Sequence, residues 1–133
     1  MKPLWRIVLI GAIVIVVAAA GYYLYTHSSW SYRAGNVLDE TGVKGGLVVH
    51  VGSKDGKLTT ALHEDDRYLV QGLSSDPDLV QKAREYVQEK GLYGEVSIDR
   101  WEGNELPYAD NLINLLVVQE DARQRLTEEE MMR

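Results

Sequence analysis

The stretch from Leu47 to Leu58 restricts the fold of this chain more than any other. There L-V-V-H-V-G-S-K-D-G-K-L passes from an apolar run, through a glycine-bounded loop, into the start of a helix. The pattern predicts a buried strand, a tight turn and a helix N-terminus, the arrangement that holds nucleotide-like ligands in open α/β sheets. Gly52 and Gly56 allow positive φ and close approach of the backbone to a ligand. A plain core strand accounts equally well for Leu47 to Val51.

Further along, alternation of strand and helix patterns implies a parallel sheet. Ala34 to Thr41 is weakly helical and stops at Gly42, and Lys57 to Leu62 forms a short helix. Tyr68 to Leu73 is a second strand. Asp76 and Pro77 then start a helix as N-cap and first residue; Leu79, Val80, Ala83, Tyr86 and Val87 give it an apolar face, and Gly91 ends it. Val96 to Trp101 is the third strand. Gly103 to Asn111 is a loop pinned by Pro107, and Leu112 to Val118 is a fourth strand with the continuous apolar character of a sheet covered on both faces. Thr127 and Glu130 form a capping box that opens a last helix.

Ahead of this region, Lys2 and Arg6 precede an uncharged run from Ile7 to Tyr25, long enough as a helix to cross a bilayer. Its end, Tyr22 to Tyr25, suits the far membrane interface, and the charge ahead of it places the N-terminus in the cytoplasm with the domain outside. The expected localisation is a single-pass cytoplasmic membrane protein. Ala18 to Ala20 also satisfy a small-residue cleavage pattern, so export after cleavage near Ala20 is the alternative. Residues 1–33 are thus expected to be an anchor or signal segment ending in a juxtamembrane linker, Thr26 to Tyr32, and residues 34–133 one domain.

Charge narrows the partners. Three of the 14 basic residues precede residue 34, which leaves 11 against all 20 acids, a balance of -9 that disfavours nucleic acid. With no cysteine there is no disulfide framework or thiolate chemistry. Glu64, Asp65 and Asp66 lack a spaced partner and form a solvated turn, so no metal site is expected.

Three segments, L-V-V-H-V-G-S-K-D-G, Y-L-V-Q-G-L-S-S-D-P-D-L-V-Q-K-A-R and R-W-E-G-N-E-L-P-Y-A-D-N-L-I-N-L-L-V-V, together resemble the first half of the class I S-adenosylmethionine-dependent methyltransferases. They also resemble the methyltransferase-like domain of membrane-anchored or exported bacterial proteins that continue into a quinoprotein-type β-propeller. The resemblance implies a Rossmann-like parallel sheet of order 3-2-1-4, S-adenosylmethionine as cofactor, a small-molecule methyl acceptor, and a longer parent protein carrying the C-terminal half or a propeller. It places the cofactor contacts at His50, Gly52, Lys54, Gly56, Ser74 and Glu102, with Leu106, Pro107 and Tyr108 along the cleft.

Three of these positions, and a fourth on the last strand, depart from the family pattern. Lys54 stands at the middle glycine, His50 at the acid before the loop, Ser74 at the ribose-binding acid, and Asn114 at the fourth-strand aspartate. A cationic side chain at 54 crowds the backbone approach, and a hydroxyl at 74 binds a ribose diol more weakly than a carboxylate does. Two functional classes therefore stand side by side: a domain that still binds S-adenosylmethionine, and a non-catalytic scaffold or small-ligand module on the same fold.

Overall fold

The computed structural model describes residues 2–133; the side chains of residues 2–6 and 26–28 lie outside what it describes. Helix α1 spans Lys2–Thr41 without a break, a length of about 60 Å at helical rise. From Ile7 to Tyr25 every residue is exposed, and this is one helix long and apolar enough to cross a membrane. The expected linker at Thr26 to Tyr32 is instead helical, because T-H-S-S-W-S-Y contains neither glycine nor proline and serine lowers helix propensity only modestly. Towards its end the helix joins the domain: Ala34 and Leu38, four residues apart on one face, are buried. Gly42, at φ 69°, ends it and donates its N–H to the Leu38 carbonyl at 3.0 Å.

Strand β1 spans Gly46–Val51, followed by α2 (Lys57–Ala61), β2 (Tyr68–Ser74), α3 (Pro77–Glu89) and β3 (Val96–Arg100). Then come β4 (Leu115–Val118), α4 (Glu120–Arg123) and α5 (Glu128–Met132). All strands are parallel, in the order β3-β2-β1-β4, as the sequence implies. Asp76 caps α3 as expected, accepting from the N–H groups of Asp78 (2.9 Å) and Leu79 (3.4 Å).

β4 is shorter than its apolar run. Asn111 adopts φ 59°, Leu112 is exposed, and Asn114 accepts from Leu47 N–H through Oδ1 while its own N–H donates to the Leu47 carbonyl, both at 2.9 Å. A side chain clipped back onto the neighbouring backbone ends the regular ladder, so pairing starts only at Leu115.

Strand alternation divides the interior in two. Val48, Val70, Val96 and Ile98 join Ala34, Leu38, Leu62, Val80, Ala83 and Val87 beneath α1, α2 and α3. On the opposite face, Val49, Val51 and Leu73 pack with Trp101, Leu106, Ala122 and Leu126. That second cover is built from loop and tail. Thr127 Oγ1 accepts from Glu130 N–H at 3.2 Å, and the Glu130 carboxylate in turn accepts from Leu106 N–H at 2.7 Å.

Candidate functional site

The C-terminal ends of β1, β2 and β3 open onto a crevice of about 220 Å³ lined by Gly52, Lys54, Ser74, Asp76, Trp101 and Arg125, among others. It lies where parallel α/β sheets place their ligands. Gly52, at φ 89°, donates its N–H to the Leu73 carbonyl at 2.8 Å, which fixes the turn out of β1. Ser74 is buried at the end of β2, and Trp101 follows β3 directly, its indole N–H held by the Glu105 carbonyl at 2.8 Å.

Behind the glycine loop lies a second recess of about 210 Å³. His50 and Gly56 line it together with Gly52 and Lys54, facing Arg33 and Trp30 of α1. His50 belongs to the α2 side of the sheet. Its Nδ1 lies 2.7 Å from Thr59 Oγ1 and its Nε2 lies 3.1 Å from the Gln119 amide nitrogen. The amide donates to Nε2, so Nδ1 carries the proton and donates to Thr59. Burial lowers the histidine from its ordinary 6.5 to about 4, with the Asp121 charge pulling the other way. His50 is a neutral, fully hydrogen-bonded core residue.

The six residues implied by the resemblance thus divide. Gly52, Lys54 and Ser74 meet at the crevice, and His50 and Gly56 line the recess behind it. Glu102 lines neither; it is exposed and paired with Arg100. Asn114 sits at the start of β4, the end away from the crevice, and Gln119 takes the position just past the strand's C-terminus. Tyr108 packs on the sheet instead of the cleft, its hydroxyl donating to Gln71 Oε1 at 2.5 Å, while Leu106 is buried in the second core. Burial, aided by Asp99, pushes the Tyr108 phenol up to about 12.

Gly52 is packed on one side by α4 and its N-cap residue Gln119. A Cβ on Gly52 would stand 2.8 Å from Gln119 Cβ and 3.2 Å from Ala122 Cβ. Gly56 meets Ala83 of α3 in the same way, at 3.1 Å. Gly52 is therefore required by packing as well as by its positive φ, and Gly56 chiefly by its φ of 79°. Lys54 reaches across the mouth to Asp121, Nζ to Oδ2 3.5 Å. Sequence reading missed Gln119, Asp121, Ala122 and Arg125, because the stretch E-D-A-R-Q-R carries no motif and only the packing of α4 brings it to the crevice.

The parallel sheet of order β3-β2-β1-β4 with its flanking helices superposes on several solved structures. An archaeal protein from Methanococcus maripaludis, assigned as an S-adenosyl-L-methionine-dependent methyltransferase, superposes with a TM-score of 0.67 at 21% identity over 78% of this chain and 49% of its own. The fold is that of the class I methyltransferases. A SAM-dependent methyltransferase from Aquifex aeolicus gives a TM-score of 0.62 at 24% identity, covering 75% of this chain and 56% of its own. Geranyl diphosphate C-methyltransferase from Streptomyces coelicolor, solved with S-adenosyl-L-homocysteine, gives 0.59 at 16% identity, covering 66% and 34%. The chain spans about half the length of the first two. No family profile matches it, and no curated protein matches it in sequence.

Tested against S-adenosylmethionine, the crevice offers space beside Gly52, Ser74, Asp76 and Trp101, but Gln119 and Ala122 close it on the side where a Cβ of Gly52 would point. At about 220 Å³ it lies below the roughly 300–1,000 Å³ usual for ligand pockets. In this arrangement the residues do not fit the whole cofactor, and no methyl-transfer step follows from them.

Proposed function

We propose that this chain is a membrane-tethered, methyltransferase-like module that takes S-adenosylmethionine once α4 moves off Gly52, and that it stands closed in the arrangement described. The observation carrying this reading is the crevice at the ends of β1, β2 and β3, bounded by Gly52 and Ser74 on a sheet of order β3-β2-β1-β4. The methyl acceptor would be a small molecule, and the partner segment would be a C-terminal half of the fold or a propeller domain in a longer protein.

Calorimetry of the full chain in detergent with S-adenosylmethionine and S-adenosylhomocysteine tests the cofactor. Saturable binding of either is the expected result, strengthened in Gln119→Gly, which removes the nearer of the two side chains packed against Gly52. Absence of heat at millimolar cofactor, in both the wild type and this variant, overturns it.

A second reading is supported by α4 itself. With Ala122 packed over Gly52 and Lys54 tied to Asp121, the domain is a non-catalytic scaffold on the same fold. Under it, Gln119→Gly gains no affinity.

Tethering rests on the exposed apolar face of α1 from Ile7 to Tyr25, and orientation on Lys2 and Arg6 ahead of it. The domain then lies outside the cytoplasmic membrane. A reporter fused after Arg133 should give an external signal; a cytoplasmic one reverses the orientation. Release of a shortened protein would instead favour cleavage near Ala20.

A further inference from the structure

Where α1 leaves its apolar stretch, it forms one wall of a cleft of about 370 Å³ against α2 and α3. Trp30, Lys57, Thr60, Glu64, Tyr86 and Lys90 are among the residues lining it. Lys90 stands over two aromatic rings, with Nζ 5.4 Å from the centre of Tyr86 and 6.0 Å from the centre of Tyr23. Tyr23 belongs to the aromatic end of the apolar run, so the C-terminal end of α3 lies level with the boundary of the membrane segment.

The unbroken helix fixes the rest of the cleft in height. Trp30 is five residues beyond Tyr25, or about 7 Å at helical rise. That is the depth of one headgroup layer, roughly 5–8 Å on each side of the hydrocarbon. Tryptophan, tyrosine and lysine side by side at this level are the groups that recognise lipid headgroups.

One polar atom there is unsatisfied. Thr60 Oγ1 is buried and has no hydrogen-bond partner among the described residues. A buried hydroxyl without a partner costs free energy, and turning the Thr60 side chain towards an acceptor in the cleft would remove that cost.

We propose that this cleft is a phospholipid headgroup site, in which a lipid phosphodiester lies against Lys90 and Lys57 and accepts from Thr60. The inference rests on the membrane-tethered reading above. Charge favours a lipid over free phosphate. Lys57 is already paired with Asp55 at 3.2 Å, Glu64 stands on the wall, and His63 faces Glu95 at 3.4 Å. A cleft so nearly balanced suits the single charge of a phosphodiester better than a dianion.

Native mass spectrometry of the full chain released from detergent, with phosphatidylglycerol added, tests the site. Lys90→Gln should retain about fivefold less lipid than the wild type, the loss of one cation at a membrane surface. Thr60→Val should lose part of that retention, and Lys44→Gln, outside the cleft, none. Equal retention by Lys90→Gln and the wild type overturns the proposal. So does displacement of the lipid by millimolar inorganic phosphate, which would make the cleft a soluble-anion site. Carbonate extraction of membranes separates the two failures: a chain released by carbonate disproves the tether itself, whereas a retained chain with lipid binding insensitive to Lys90 disproves only the headgroup site.

Discussion

At the residue scale, His50 shows how strand parity redirects a side chain. The resemblance implies a cofactor contact at this position, yet the side chain points to the α2 side, between Thr59 and Gln119. Its folded pKa of about 4 lies below the ordinary 6.5 that it regains on unfolding. The unfolded chain therefore binds the proton first as pH falls, so the stability His50 contributes is complete above about 6.5 and is lost progressively towards 4. At 1.36 kcal/mol per unit, the loss is on the order of 3 kcal/mol. His50→Asn, which keeps a donor for Thr59, removes this dependence. Thermal melts of both proteins in detergent at pH 7.5 and 4.5 measure it, and the wild type should lose more stability on acidification than the variant. A parallel fall would show that other groups carry the acid sensitivity. Gly52 makes a second prediction here. Gly52→Ala must hold a Cβ at φ 89° and push it to 2.8 Å from Gln119 Cβ, a cost of about 1–3 kcal/mol visible in the denaturant midpoint.

At the element scale, α3 is the part whose sequence and structure agree throughout. Asp76, Pro77, the buried Val80, Ala83 and Val87, and Gly91 at φ 71° all occupy their expected places. Asp76→Ala should lower stability by about 1 kcal/mol through loss of the cap, whereas Asp78→Ala, which caps nothing, should change less. The pair of melts distinguishes a capping role from mere negative charge in the first turn. The strands were legible for the same reason as α3: apolar runs and turn residues are local signals. What could not be read depends on distant partners. The ladder of β4 begins at Leu115 because Asn114 bonds to Leu47, 67 residues away. Helix α4 has only four residues, too few to show a period, and its effect on the crevice arises from contact with Gly52. The segment 26–32 is helix and not linker for a different reason: its residues are polar, but none of them breaks a helix.

At the scale of the whole molecule, the two faces of the sheet are covered by different means. One face carries α2 and α3 with the end of α1, the regular cover of a parallel sheet. The other relies on a loop and two short helices, with Trp101, Leu106, Ala122 and Leu126 closing over Val49, Val51 and Leu73. This second cover also determines how open the crevice is, because Ala122 belongs to both. If the tail is an integral part of the fold, truncating one of its buried side chains must cost as much as truncating a core residue elsewhere. Leu126 is 6% exposed, and Leu126→Ala should destabilise the protein by about 2–4 kcal/mol. Leu69 of β2 is 53% exposed, and Leu69→Ala should stay within about 0.5 kcal/mol. Denaturant unfolding of the full chain in detergent, followed by tryptophan fluorescence, compares the two; a Leu126→Ala loss no larger than that of Leu69→Ala would mean that the tail lies on the sheet without holding it. The same variant separates the two functional readings. Loosening α4 and α5 frees the space over Gly52, so a module that takes S-adenosylmethionine by opening should bind it more tightly when Leu126 is shortened, while a scaffold should only become less stable.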